Sequence, residues 1–164
     1  MIEELIKKNR SVRRFYHDEA INIETLTWFV DLARLSASSS NLQPLKYILS
    51  NNSVRNEEIF SCLAWAGYLK DWSGPSEGER PSAYIIILGD TDISKNFGCD
   101  HGIAAQNVLL GAREKDYGGC ILGAIKKDIL REAFNISERY EILLVIALGK
   151  PKEEVMIEDV PAGS

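Results

Sequence analysis

Ala83-Tyr84-Ile85-Ile86-Ile87-Leu88-Gly89 is a continuous apolar run, rich in β-branched residues. A strand with one face in water alternates apolar and polar residues, and this run does not alternate. It predicts a strand covered on both faces. Tyr140 to Leu148 reads as a second buried strand, which Gly149-Lys150-Pro151 is expected to end. Leu45 to Ser50 reads as a further strand, with Asn51-Asn52 as a turn after it. Cys120-Ile121-Leu122-Gly123 reads as a short extended piece.

Between these stretches the apolar spacing becomes helical. Ile23, Leu26, Val30 and Ala33 repeat at steps of three and four behind Asn22, a good N-cap. They predict an amphipathic helix ending near Ser36. Asp100 is placed to cap a long helix through Lys115, apolar on most sides around Ile103, Ala104, Val108, Leu109 and Leu110. A helix of that kind is expected to be central. Shorter helices are expected over Ile2 to Lys8, Arg55 to Trp65 and Lys126 to Phe134. Strands and helices alternate loosely, so the class is α/β or α+β with one central sheet.

The chain of 164 residues is read as one domain with a sizeable core. Its 45% apolar and 26% charged residues are those of an average soluble protein. A net charge of −5 argues against broad binding to nucleic acid or to an anionic membrane surface. The longest apolar runs are too short to cross a bilayer. Met1-Ile2-Glu3-Glu4 lacks the basic-then-apolar order of a signal peptide, so the cytoplasm is the expected compartment. Cys62, Cys99 and Cys120 are odd in number and widely spaced, and suggest neither a disulfide framework nor a metal site.

The chemistry is concentrated in three polar or glycine-rich segments. Asn9-Arg10-Ser11-Val12-Arg13-Arg14-Phe15 puts three guanidiniums and a hydroxyl into a loop after a short helix. Such a set of donors suits a phosphate group, and the alternative is a solvated basic turn. Ser38-Ser39-Ser40-Asn41-Leu42-Gln43-Pro44 offers hydroxyls and amides with little bulk, and Pro44 biases Gln43 to an extended form. Asp116-Tyr117-Gly118-Gly119 breaks the long helix before the extended piece at Cys120. The segment from Leu69 to Pro81, with two prolines and two glycines, is a surface loop long enough to be functional.

Nucleophile and base pairs are scarce. His17 sits in a polar, exposed turn and His101 in the first turn of the long helix; Cys120 reads as a small buried thiol. The chain holds no GxSxG, HExxH or P-loop, and Gly118-Gly119 with Gly123 is not a dinucleotide fingerprint. The three segments suit a nucleotide-like cofactor that carries the chemistry while the protein binds and orients it. No side chain is assigned as catalytic and none as a metal ligand.

These segments, together with Leu148-Gly149-Lys150-Pro151, resemble four signatures of the nitroreductase family of FMN-dependent oxidoreductases, in order over nearly the whole chain. The family motifs are of the types Arg-Arg-Ser-x-Arg-x-Phe, Pro-Ser-x-x-Asn-x-Gln-Pro, Gly-Leu-Gly-x-Cys-x-x-Gly and Leu-Gly-x-Pro. The resemblance implies an α+β fold with three α/β/α layers, in which a central mixed, mainly antiparallel sheet surrounds a long central helix. It implies that Arg10, Ser11 and Arg13 hold the FMN phosphate while Arg14 faces away. Ser38, Ser39 and Ser40 would line the cofactor from the partner of a homodimer, and Asn41 and Gln43 would hydrogen-bond its ring or ribityl chain. Leu122 and Gly123 would pass along one ring face, and Lys150 would sit near the phosphate or the pyrimidine edge. The implied reaction is ping-pong: NADH or NADPH gives hydride to flavin N5, and a small acceptor such as a nitroaromatic or quinone then takes its place. The alternative is a flavin-binding relative with a different or lost activity, such as dehalogenation or flavin fragmentation.

Three positions depart from those motifs. Asn9 stands for the first arginine, Ala37 for the proline and Asp116 for the first glycine. A weaker phosphate grip is expected from the first, a looser serine loop from the second, and strain at Asp116 if that position takes φ > 0. Family members commonly continue past the position of Ser164 with a segment that embraces the other subunit. The strength of the dimer and one pocket wall are therefore expected to differ here.

Overall fold

The apolar run from Ala83 forms β3 (Ala83–Asp90), buried along its whole length. In the computed structural model, which describes residues 1–161 and 163, its side chains go alternately to two separate cores. Ala83, Ile85 and Ile87 pack with Leu26 and Phe29 of α2 (Ile23–Arg34) and with Ala105 and Val108 of α4 (Asp100–Glu114). Tyr84, Ile86 and Leu88 pack with Ile59 of α3 (Ser53–Ser61) and Leu130 of α5 (Lys127–Ala133). Two cores on one sheet make three layers, because a sheet with two apolar faces must bury both.

The sheet is built around β5 (Tyr140–Pro151). Along one edge β5 pairs with β3, from Ala83 opposite Leu148 to Asp90 opposite Tyr140. Along the other it pairs with β4 (Gly118–Leu122), from Gly118 opposite Gly149 to Leu122 opposite Val145. Its last two residues pair with β1 (Phe15–Tyr16), and β2 (Leu45–Ser50) closes the far side of β3. All these pairings are antiparallel; the one parallel element among the described residues is the isolated bridge between Ser11 and Gly119. An extra residue at Leu143 forms a bulge opposite Ile87 and Leu88, which locally raises the twist.

Several boundaries differ from those expected. β5 does not end at Leu148, because Gly149, Lys150 and Pro151 find partners in β4 and β1. α3 begins at Ser53, capped by the Asn52 side chain on Arg55 N at 3.1 Å. It ends at Ser61 because the next residues pair elsewhere: Ala64 N donates to Ala124 O and Lys126 N to Cys62 O. Asp100 does not cap α4; Cys99 holds that position and Asp100 is the first helical residue. α4 is the longest helix and packs on α2, α1 (Ile2–Lys8) and the sheet, but Gly102, Ile103 and Gln106 are exposed on its outer face. His17 is half-buried rather than exposed, with Nδ1 at 3.3 Å from Arg80 O. Among the described residues no helix is long and apolar enough to cross a membrane.

Candidate functional site

The basic stretch is held by its apolar members. Val12 is buried, and its N–H donates to Gly119 O at 2.9 Å, which lays the loop along the start of β4. Phe15 is fully buried beneath Gly149 of β5. Glu153, just past β5, accepts from the backbone N–H of both Arg13 and Arg14. These anchors fix a loop whose guanidiniums go in different directions. Arg14 turns to Glu79 at 3.6 Å and to the Trp72 ring at 6.0 Å, away from the other arginines. Arg10 folds over the end of α1, donating to Asn9 O at 2.7 Å and to Ile6 O at 3.0 Å. It lines a groove of about 410 Å³ together with Lys8, Arg113 and Lys150, and with the acidic Asp116, Glu153 and Glu154. Arg13 lies close enough to Cys120 for its charge to act on that thiol. Among the described residues, none of Arg10, Arg13 and Lys150 is in an ion pair. The groove is lined by four cations, Lys8, Arg10, Arg113 and Lys150, against three carboxylates, and this positive excess favours an anion.

The glycines of this region divide into two kinds. A Cβ at Gly119 would meet Ala147 O at 2.2 Å, and one at Gly149 would meet the Phe15 ring at 2.8 Å. At Gly118 the obstacles are Pro151 and Val12. Those three are glycine because strands and loop approach one another closely. Gly123 is different: its nearest neighbour would be Leu144 Cδ2 at 3.8 Å, an ordinary contact. The chain's own packing leaves room for a side chain there, so the open face beside Leu122 is free to take something else. From Gly119 to Gly123 is roughly 14 Å along an extended strand.

The serine-rich loop is organised by Asp100. Ser38 Oγ donates to Asp100 Oδ2 at 2.6 Å, Ser39 N donates to Oδ1 at 3.0 Å, and Ser38 Oγ accepts from Gln43 N at 2.9 Å. The hydroxyl of Ser38 is therefore used within its own loop. Ser40, Asn41 and Gln43 take φ of 51°, 53° and 51°, and all three are exposed. Gln43 does not adopt the extended form that Pro44 favours, because its N–H is drawn to Ser38. The loop borders a second cavity of about 450 Å³, lined also by Tyr47, Lys46 and Ala104. Burial, with Asp100 nearby, pushes the Tyr47 hydroxyl up to about 12, so it stays protonated at neutral pH.

The structure thus brings Arg10, Ser11, Arg13 and Lys150 to one end of β4, with Leu122 and Gly123 at the other end. It does not bring Ser38, Ser39, Ser40, Asn41 and Gln43 to them within one chain. The serine loop is tied to the first residue of α4, while Asp116 of the basic groove follows the last turn of that helix. Fifteen helical residues separate the two by roughly 21 Å.

Cys120 faces the core beside α3 and α5, not His101. Burial pushes its thiol up to about 12, so it is not a nucleophile. The sequence did not single out Asp100 and Glu153 as site organisers. Both act on backbone far away in sequence, and no local spacing signals that. Asp116 takes φ 59°, the left-handed conformation for which its motif position prefers glycine.

The sequence model of the nitroreductase family matches residues 80–150, which run from β3 to the end of the site at Lys150. A protein of Bacillus subtilis named as an NAD(P)H nitroreductase, YodC, is 25% identical over 90% of this chain and 88% of its own length. The chain is similar to the nitroreductase family over residues 80–150. A second protein to which the chain is similar, from Archaeoglobus fulgidus, is named as an NADH dehydrogenase/NAD(P)H nitroreductase. It is 29% identical over 92% of this chain and 85% of its own length. Among solved structures, an FMN-dependent nitroreductase from Clostridium difficile R20291 superposes with a TM-score of 0.79 at 22% identity. That match covers 97% of this chain and 92% of the other. A nitroreductase family protein from Streptococcus pneumoniae TIGR4 gives 0.79 at 18% identity, over 98% and 95% of the two chains. At these identities the solved structures establish a shared fold.

Proposed function

We propose that this protein is an NAD(P)H-dependent oxidoreductase that uses FMN and passes reducing equivalents to a small acceptor such as a nitroaromatic or a quinone. The observation that carries this reading is the pairing, along one strand, of unpaired cations at one end with a side-chain-free face at the other. Arg10 and Arg13 would hold the FMN phosphate, with Ser11 adding a neutral donor. Leu122 and Gly123 would lie against the ring. Bound FMN would supply the redox chemistry, accepting hydride from NADH or NADPH and delivering it to the acceptor. The residues of the chain bind, orient and tune, and no side chain need serve as nucleophile. Lys150 and the amide of Asn41 would favour negative charge on the pyrimidine side of the ring, stabilising the reduced form.

The separation of the serine loop from the basic groove supports a site completed by a second copy. Asn41 and Gln43 would then reach the ring from the partner, and Ser39 and Ser40 would line it. The exposed outer face of α4 offers a surface for that pairing.

The test is spectroscopic. Purified protein loaded with FMN should bleach in the flavin band on addition of NADH or NADPH and recover colour with a nitroarene or quinone. Arg13→Ala should weaken FMN binding by about 1–3 kcal/mol, the range of a charge-assisted contact. Arg14→Ala should leave it unchanged, because Arg14 is engaged by Glu79. A protein that takes up no FMN, or equal effects of the two substitutions, would overturn the assignment.

A further inference from the structure

Residues 38–43 form a loop that packing does not hold. Residues 39–43 are all exposed, and Ser38 and Gln43 border the cavity of about 450 Å³. Ser40, Asn41 and Gln43 nevertheless keep left-handed backbone. That conformation is costly for a residue with a side chain and persists only where the surroundings impose it. Among the described residues, every hydrogen bond that joins residues 38–43 to the rest of the chain ends on Asp100.

Asp100 is 5% exposed and has no ion-pair partner among the described residues. A carboxyl group withdrawn from water without a cation is costly unless hydrogen bonds satisfy it. Here the loop satisfies both oxygens: Oδ2 accepts from the Ser38 hydroxyl at 2.6 Å and Oδ1 from Ser39 N at 3.0 Å. Ser38 passes the hold on, since its Oγ also accepts from Gln43 N at 2.9 Å. The relay closes the loop at its first and last residues, with Asn41 between them. The side-chain amides of Asn41 and Gln43 make no hydrogen bond among the described residues. A buried acid thus sustains a strained loop that presents two unused amides to solvent.

Resting on the flavin reading above, we infer that Asp100 is a positioning residue for recognition of the flavin ring, and that it acts on the cofactor held by the other subunit. Asp100 itself touches no ligand. It lies beneath the loop, roughly 21 Å along α4 from the basic groove of its own chain. Its hold fixes the amides of Asn41 and Gln43 before a ligand arrives, and a loop already in place binds more tightly than one that must be ordered on binding. Each amide offers both a donor and an acceptor, which suits the carbonyl and N–H edge of a flavin ring. The phosphate plays no part in this contact.

The experiment compares FMN with riboflavin, which carries the same ring and no phosphate, titrated into the full chain. Asp100→Ala should weaken both about tenfold, whereas Arg13→Ala should weaken FMN alone. Ser38→Ala leaves α4 intact and should reproduce the loss if Asp100→Ala does not fold. The double variant should lose no more than Asp100→Ala by itself, because the two residues act as one relay. Refolding an equimolar mixture of Asp100→Ala and Arg13→Ala should restore FMN binding; a mixture of Asp100→Ala and Asn41→Ala should not. General damage to the Asp100→Ala chain would also spoil its phosphate half and prevent that restoration. Unchanged riboflavin affinity in both Asp100→Ala and Ser38→Ala, a parent that binds FMN but no riboflavin, or restoration by the second mixture would overturn the inference while leaving the flavin reading in place. Failure of the parent to take up FMN would overturn both.

Discussion

Asp90 and Arg139 show how one side-chain pair holds distant segments in register. Asp90 is the last residue of β3, and Arg139 immediately precedes β5. The guanidinium donates to both carboxylate oxygens, Nε to Oδ1 at 2.8 Å and the terminal nitrogen to Oδ2 at 2.6 Å. These hydrogen bonds, helped by the Asp92 backbone N–H, hold the Asp90 carboxyl below the usual carboxylate range. A folded-state value lower than the unfolded one stabilises the fold above the unfolded pKa of about 3.9. That stabilisation is lost as pH falls through the lower folded value. Urea midpoints followed from pH 7 to pH 3 should therefore fall more steeply for the parent than for Asp90→Asn, and parallel curves would refute the coupling. At this scale the sequence was informative where a residue's role is local. Asn22 caps α2 as expected, its side chain accepting from Thr25 N at 2.8 Å. The strain expected at Asp116 follows from a backbone requirement that a motif position carries with it. Asp100 was misread as a helix cap because its actual partners, Ser38 and Ser39, lie some sixty residues earlier. No local pattern distinguishes a capping carboxylate from one that organises a remote loop.

In and just after β4, two glycines four residues apart separate folding from binding. Gly119→Ala would drive a methyl group into the Ala147 carbonyl, a backbone atom that cannot turn aside. A loss of about 3 kcal/mol is expected, read as a lower thermal midpoint. Gly123→Ala meets no such obstacle and should leave the midpoint unchanged while lowering FMN affinity. If the second substitution destabilises as the first does, Gly123 serves packing and its ligand role is lost. The extended character of this stretch was legible in the sequence. The division of its glycines was not legible there, because close approach to Val12, Ala147 and Phe15 arises only once three strands and a loop are assembled. β5 shows the same limit: its apolar part was plain, while its final residues are strand only because β1 and β4 reach them.

At the level of the whole molecule, both halves of the proposed site are present in one chain but face different neighbours. If two copies complete each other's sites, then Arg13→Ala and Asn41→Ala damage opposite halves. Refolding an equimolar mixture of the two variants should restore FMN binding that neither shows alone, since some dimers then carry one intact site. No restoration would place both residues on the same site half. The three layers could be read from β3, whose lack of alternation requires cover on both sides. The division of the site was implied by the resemblance, which puts Ser38, Ser39 and Ser40 on the partner, and the length of α4 that separates the two halves was legible in the sequence. β5 has one more consequence, concerning the time at which the sheet can form. It is the shared partner of β1, β3 and β4, and it follows all of them in the sequence. During synthesis the apolar β3 emerges with only β2 to pair with, and waits some fifty residues for its second neighbour. Pairings of such long range are slow to form and leave strand edges uncovered in the interval. The nascent chain is thus most open to misassociation between the emergence of β3 and that of β5, and chaperone capture should concentrate in that window.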